Sequence, residues 1–422
     1  MIFFVGWILF IAYTLIFNSK AFYKIYFFLV IMIPFNDKVY EFLGLKKGNI
    51  SILDLILFLI LILSIKSYKS LKLSSIDIIF IIIAFLTIIY LGIGIKNNNN
   101  FINLDTLNII RIFIIYATYR IYFSQNNLLK EYIDLFLKSL ILFSLINIFI
   151  YFFRESIIPN IYDRNSIAWW GTTRVSFSNA SNFLLVPFFI NNINMKKYIK
   201  IVLFINTIIC IFLSKNRTLI ILYFLIYIIT YIFKNRKTNI SRFLDILAII
   251  VIIIVIFINK DILINKLILS NNDIFQRFVE VLEGNISSLN TRSVTNEFNL
   301  LTIKDNDFLG YGLGKSMILY NSDFSYASIG AFIDNGILTI IMKMGIITFS
   351  LIVIAIIIIN FKIFTCKDLK LYSKFSIIFS AIGYLFLVFI LNSQVIYSLP
   401  VFTTMLILLT LSYNKFYEIK SE

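Results

Sequence analysis

The feature that most constrains this chain is a succession of unbroken apolar runs, each close to the thickness of a bilayer. They fall at residues 2–17, 22–35, 50–65, 76–95, 104–122, 132–153, 176–193, 199–213, 218–233, 243–259, 335–360, 375–391 and 396–412. In hydrocarbon every backbone N–H and C=O must be satisfied inside the protein, so only helices and closed barrels span a membrane. Continuous rather than alternating apolarity selects helices. Only 14% of the residues are charged, against about a quarter in a soluble domain, and the mean hydropathy is +0.91. The expected fold is an all-α integral membrane protein, a polytopic bundle of about 12–13 transmembrane helices of roughly 20 residues each. Pro34 is expected to end or kink the short second run. No basic segment precedes the first run, so a cleaved signal peptide is not expected.

Lys and Arg then set the orientation. The connections 18–21, 66–75, 123–131, 194–198, 234–242, 361–374 and the C-terminal tail are short and dense in Lys and Arg, and are read as cytoplasmic. The alternate set, 36–49, 96–103, 154–175, 214–217 and 260–334, is longer and sparser and is read as external, as is the N-terminus. Three regions follow. Residues 1–259 carry helices one to ten with an outer loop near 154–175. Residues 260–334 form a large extracytoplasmic loop. Residues 335–422 hold the C-terminal spans and a cytoplasmic tail. Within the large loop, 273–283 reads as a short amphipathic helix with Ile274, Phe278 and Val281 in stripe. A second is expected at 292–304, with Val294, Phe298 and Leu301 in stripe.

Composition excludes several chemistries. There is no histidine, which removes His-based general acid–base catalysis, Ser–His and Cys–His nucleophiles and nearly all zinc sites. The two cysteines, Cys210 and Cys366, form no CxxC pair and no disulfide framework. The net charge of +16 is read as topogenic rather than as a nucleic-acid signature. No cofactor, no metal and no nucleic-acid partner is expected, although Asp305, Asp307 and Asp323 keep a divalent ion in view.

The ten arginines, against 28 lysines, are distributed unevenly. Six lie in the external set: Arg154, Arg164, Arg174, Arg217, Arg277 and Arg292. Positive-inside logic works equally well with Lys, so it does not explain them. A guanidinium offers a planar, permanently charged fork for phosphate or carboxylate. Arg217 follows Ser214, Lys215 and Asn216 in a very short turn. The next helix starts there with free N–H groups and a positive dipole end, a ready anion site, capped by Ser214 or Asn216. A snorkelling Arg is the plainer reading. Arg292 is expected in the first turn of its helix, again favouring an anion; the plainer reading is a solvated charge. Gly310 to Ser316 has the look of a nucleotide loop but lacks the leading Gly and the preceding strand. It is read as a glycine-rich turn returning the loop to the bundle. Arg111, Lys138 and Lys343 fall inside spans, where charge is costly and usually faces a cavity; snorkelling is the alternative for the two lysines. Trp169 and Trp170 read as an aromatic belt or a sugar-stacking platform.

Four segments in this order resemble the O-antigen polymerase and ligase superfamily, the Wzy-type polymerases of lipid-linked glycans. They are Arg174 to Asn182, Ser214 to Thr218, Arg292 with the later Asp307 to Gly314 stretch, and Ile333 to Gly336 with Gly345-Ile346-Ile347. The family's usual Gly and Pro are replaced in the first. The resemblance covers roughly residues 100–360. It implies en bloc transfer of a glycan from polyprenyl diphosphate to a sugar hydroxyl of the next lipid-linked repeat, at the outer face of the bacterial cytoplasmic membrane. Arg217 and Arg292 would stabilise charge growing on the leaving diphosphate, with Arg174 third. Asp334 is the first candidate base and Glu297 the second; an N-terminal cap is the structural role open to Asp334. Lys215 and Asn335 complete the substrate-binding set. The implied partners are the donor and acceptor lipid-linked oligosaccharides, membrane lipid and a chain-length regulator. The ligase branch commonly has His-Asn where this chain has Asp334-Asn335, so a chain without histidine leans to the polymerase. A ligase-type transferase and a lipid-linked oligosaccharide flippase are the alternatives. A flippase more typically shows two related halves, and no internal repeat is visible.

Overall fold

The computed structural model describes residues 2–17, 20–48, 50–65, 73–123, 129–161, 175, 177–192, 196–214, 216–235, 287–320, 327–333, 335–365, 397–407 and 410. In chain order the elements are α1 (Ile2–Phe17), α2 (Ala21–Met32), α3 (Asp37–Phe42), β1 (Lys46–Lys47), β2 (Ile50–Ser51), α4 (Ile52–Ile65), α5 (Ser75–Lys96), α6 (Ile102–Phe123), α7 (Leu129–Phe152) and α8 (Arg154–Ile161). A 3₁₀ helix (Ser178–Leu185) then leads into α9 (Val186–Asn192), α10 (Lys197–Leu213), α11 (Arg217–Asn235), α12 (Ser287–Lys304), β3 (Met317–Tyr320), β4 (Ala327–Gly330) and α13 (Gly336–Thr365). Residues 399–407 are helical as well. The expected runs at 243–259 and 375–391 and the amphipathic helix at 273–283 lie outside the described residues.

Among the described residues, three helices are long and apolar enough to cross a membrane: α5, α7 from Glu131 and α13 as far as Ile358. The chain is thus a helical membrane protein. Helix α6 is as long as α5 but carries three charged residues, and each is paired with a different helix. Asp105 meets Lys343 of α13, Arg111 meets Asp54 of α4, and Arg120 meets Asp77 of α5. Arg111 grips Asp54 with two bonds, Nε to Oδ1 at 2.7 Å and Nη2 to Oδ2 at 2.6 Å. At membrane depth a charge persists only with such a partner, so these pairs fix α6 among its neighbours. Lys138, by contrast, is exposed and pairs with Asp134 one turn away, as a snorkelling lysine does.

Helix α2 ends at Met32, before Pro34, as the sequence predicts. The side chain of Asn179 holds that end. Its Oδ1 accepts from the Phe35 N–H at 2.8 Å, and its amide donates to the carbonyls of Val30, Ile31 and Ile33 at 3.3, 3.0 and 2.9 Å. The run 176–193 is therefore not one α-helix. A chain rich in Ser and Asn enters as a 3₁₀ helix, with Asn179 buried against α2, and α-helical geometry begins only at Val186.

Two further expectations need correction. Helix α12 starts at Ser287, five residues before the expected start, so Arg292 lies in its second turn. Its buried side is Thr295, Asn299 and Ile303, while Phe298 and Leu301 of the expected stripe are exposed. The polar pair faces inward because it serves the hairpin: Asn299 exchanges two hydrogen bonds with Ile318, and Thr295 Oγ1 accepts from the Tyr320 N–H. The hairpin β3–β4 itself was not expected. With α12 and the first half of α13 it shares a small core of Ile303, Met317, Ile333, Ile341 and Met342.

Helix α13 is broken at Gly345, whose φ of 72° only glycine adopts easily. The glycine-rich segment from the end of α12 fills the break. Tyr311 N–H donates to Met342 O at 2.7 Å, and Ile346 N–H donates to Phe308 O at 2.9 Å. The segment also lies against α5 and the start of α6: Leu313 N–H donates to Tyr90 O and Phe101 N–H to Gly314 O. Asn99 donates to the carbonyls of residues 311, 312 and 313. A Cβ on Gly312 would stand 2.3 Å from the Gly94 nitrogen. The expected return of the loop to the bundle is thus a close-packed joint.

Candidate functional site

The turn before α11 is built as a helix start. Asn216 Oδ1 accepts from the Leu219 N–H at 3.2 Å and is the cap. Ser214 instead closes α10, donating to Ile211 O at 2.7 Å while its oxygen accepts from the Asn216 N–H. Arg217 is the first residue of α11, one residue before the expected run and so at the helix start and not in the turn; its side chain, like all of Lys215, lies outside the described residues. The last carbonyls of α10 are reached from another segment, since Val175 N–H donates to Leu213 O at 3.2 Å. Arg174, its neighbour in sequence, lies outside the described residues.

Three residues beyond Val175, Ser178 Oγ meets Ser398 Oγ at 2.6 Å. Residue 397, beside it, is a tyrosine whose hydroxyl accepts from Lys343 Nζ at 2.7 Å. Lys343 Nζ also donates to both carboxylate oxygens of Asp105, at 2.8 and 2.6 Å. Asp105 Oδ2 accepts in addition from the Gly314 N–H at 2.7 Å. The Lys343 and Asp105 side chains are only 4% and 1% exposed, so this is a desolvated pair with its lone pairs filled, the arrangement that makes a buried ion pair tolerable. Phe332 stacks on Tyr397 with ring centres 4.6 Å apart.

The Tyr397–Ser398 dipeptide is thus a node. On one side it touches the segment that bonds to the end of α10, just before the Arg217 turn. On the other it touches α13 and the stretch before it. Asp334 lies outside the described residues, two positions after Phe332. Asn335 is described and caps α13: its Oδ1 accepts from the N–H groups of Ile337 and Leu338 at 3.1 and 3.2 Å. The capping role that the sequence left open to Asp334 therefore belongs to Asn335, and that is a structural task for a residue expected to bind substrate. Arg292 is half-buried and Glu297 exposed. Both stand on α12 beside the hairpin, Arg292 about 18 Å along the helix from Lys304 at ~1.5 Å per residue.

An apolar cavity of about 1180 Å³ opens between α1, α2, α3, α7 and α8. Its wall includes Ile33 and Pro34, the stretch that Asn179 clamps, and Lys38 lies at its polar edge with Ser156 and Asn160. Asn179, which holds this wall, lies four residues after Val175, which bonds to Leu213 at the end of α10. Among the described residues no three carboxylate or thiol groups come together to hold a metal ion, and Asp305 and Asp307 stand in an exposed turn.

Sequence reasoning singled out Lys343 and Arg111 but missed their acids, Asp105 and Asp54, and missed Tyr397, Ser398 and Ser178. One signal was available. A buried charge demands an opposite one, and Asp54, Asp77 and Asp105 all sit in or beside apolar runs. Comparison of the chain with protein-family models, with curated proteins and with solved structures finds no match.

Proposed function

We propose that the chain polymerises lipid-linked oligosaccharide repeat units, moving a growing glycan from polyprenyl diphosphate onto a sugar hydroxyl of the next lipid-linked repeat. The observation that carries this reading is the node at Tyr397–Ser398. It ties together the sequence neighbours of Arg174, Arg217 and Asp334, three residues far apart in the chain. The Lys and Arg distribution assigns this end of the bundle to the outer face of the cytoplasmic membrane, in a bundle of about thirteen spans, with the α12–hairpin unit as part of an extracytoplasmic loop.

In this reading the diphosphate binds at the start of α11. The first N–H groups of that helix and its positive dipole end favour an anion, and Arg217 adds a fixed positive charge. Arg174, next in sequence to Val175, and Lys215, two residues before Arg217, complete the basic set by sequence. The apolar cavity beside the stretch that Asn179 clamps suits the isoprenoid tail. As the acceptor oxygen bonds to the anomeric carbon, the C1–O bond to the diphosphate breaks and its electrons stay on the departing phosphate oxygen. The acceptor proton passes to a base, Asp334 first and Glu297 second. Donors aimed at the departing diphosphate lower the barrier more than they stabilise the bound substrate. Arg292 joins them from the α12 side. A transporter is disfavoured by one observation. A discontinuous helix in a transporter offers its broken ends to a substrate or ion, whereas the backbone groups at the α13 break that bond to Tyr311 and Phe308 are occupied from within.

The test is reconstitution in liposomes with a defined polyprenyl-diphosphate oligosaccharide. A ladder of chain lengths is the expected product. Arg217→Ala and Arg292→Ala should each slow its formation ~10²–10³-fold, the usual cost of one such donor, in protein that remains monodisperse. Movement of substrate between leaflets with no new glycosidic bond would overturn the proposal. Near-normal ladders from both variants would overturn the site.

A further inference from the structure

We infer that Lys343, clamped by Asp105 and Tyr397, is a positioning residue that holds the two halves of the candidate site together. Three observations converge. Lys343 Nζ makes three short bonds, two to Asp105 and one to the Tyr397 hydroxyl, from a side chain that is 4% exposed. Asp105 at the same time binds the Gly314 N–H, so the glycine-rich joint and the ion pair are one assembly. The residue after Tyr397 bonds to Ser178, on the segment that leads through Val175 to the Arg217 turn. The path from the α12–hairpin side to the α11 side therefore runs through this ammonium group and the Phe332–Tyr397 stack beside it.

The chemistry suits a latch. Lys343 lies two residues before the break at Gly345, close to the end of the first half-helix of α13, where the dipole is negative and a cation is favoured. Its anchor Asp105 is on α6, which two other ion pairs already hold to α4 and α5. The fixed frame is thus α4–α5–α6. Lys343 ties α13 to that frame, and Tyr397 is tied to Lys343. Removing the ammonium leaves the frame intact and loosens the Tyr397–Ser398 end, which then keeps only its ring contact with Phe332 and its bond to Ser178 as described links to the site. The catalytic consequence rests on the polymerase reading; the mechanical one does not.

The test separates them. In full-length protein with Cys210 and Cys366 replaced by alanine, cysteines are placed at positions 178 and 398, whose hydroxyl oxygens lie 2.6 Å apart, and disulfide yield is measured in membranes. A control pair at Lys24 and Glu131, which form an ion pair between α2 and α7, is bridged with a bis-maleimide. Lys343→Met should lower the 178–398 yield at least fivefold and leave the control unchanged. Tyr397→Phe, which keeps the ring on Phe332, should give an intermediate loss, and Lys343→Arg should recover most of the yield. An unchanged 178–398 yield in Lys343→Met refutes the latch. A parallel fall of both pairs refutes it too, because the effect is then global. Polymer formation in the otherwise unmodified Lys343→Met protein should fall with the cross-link. Absence of any polymer from the wild-type protein refutes the polymerase reading while the cross-link still decides the latch.

Discussion

Two glycines in one helix, Gly92 and Gly94 of α5, should respond in opposite directions to the same substitution. In a helix interior, Gly→Ala normally gains ~0.8–1 kcal/mol from reduced backbone freedom. An added Cβ on Gly92 meets nothing within 4 Å, so Gly92→Ala should realise that gain. An added Cβ on Gly94 stands 2.3 Å from the Leu313 carbonyl oxygen and 3.0 Å from its nitrogen. That is more than ~1 Å inside an ordinary contact of ~3.5 Å, and the obstacle is backbone. The glycine-rich joint must therefore retreat, which costs roughly 1–3 kcal/mol as overpacking. Retreat also weakens the bonds from Leu313 N–H to Tyr90 O and from Asn99 to Leu313 O, both 2.9 Å, at ~0.5–1.5 kcal/mol each. After subtracting the propensity gain of ~1 kcal/mol, Gly94→Ala should destabilise by roughly 1–5 kcal/mol. The assay is the fraction of detergent-solubilised protein that stays monodisperse after heating, fitted for a midpoint. Gly92→Ala should raise the midpoint slightly and Gly94→Ala should lower it clearly. A shift of the same sign for both would refute the close approach of residue 313 to α5.

Two other substitutions probe single side chains. Asn179→Ala removes one acceptor and a donor group that serves three carbonyls, so it should destabilise by roughly 2–4 kcal/mol in the same assay. Asn179→Asp should not rescue it, because a carboxylate cannot donate. Asn216→Asp separates the cap from the anion site: the carboxylate caps α11 as well as the amide, so the midpoint should hold. Polymer formation should nevertheless fall at least tenfold, since a negative charge then stands beside the phosphate; full activity would place the anion elsewhere.

Much of the bundle is legible in the sequence, for a physical reason. Long apolar runs have no other way to satisfy their backbone in lipid, so α5, α6 and α7 fall within three residues of their expected ends. What periodicity does not reveal is side-chain hydrogen bonding. The Ser- and Asn-rich stretch around Asn179 looks apolar enough for a helix, yet its polar groups are used to finish α2. Helix α12 shows the same limit: its inward face is Thr295 and Asn299, chosen by the hairpin they bond to. Of the candidate site, the start of α11 at Arg217 and the turn before α13 were readable as local features. Their connection through Ser178, Ser398, Tyr397 and Lys343 was not, because it joins residues more than 200 positions apart, and no local pattern encodes such a pairing.

The charges of α6 also impose an order on biogenesis. A charged residue at the centre of a span raises the free energy of insertion by ~2.5–3.5 kcal/mol; Arg111 lies near the middle of α6, with Asp105 and Arg120 in its end turns, so α6 is a poor span on its own. When it leaves the ribosome, Asp54 and Asp77 have already been synthesised and can receive Arg111 and Arg120 at once. Asp105 must wait, because Lys343 follows it by 238 residues. Over that interval α6 stays anchored at two points and open at the third. Closing the third point as α13 arrives makes the glycine-rich joint a late step of assembly, and a ribosome-bound chain halted before residue 343 should remain with the insertion machinery.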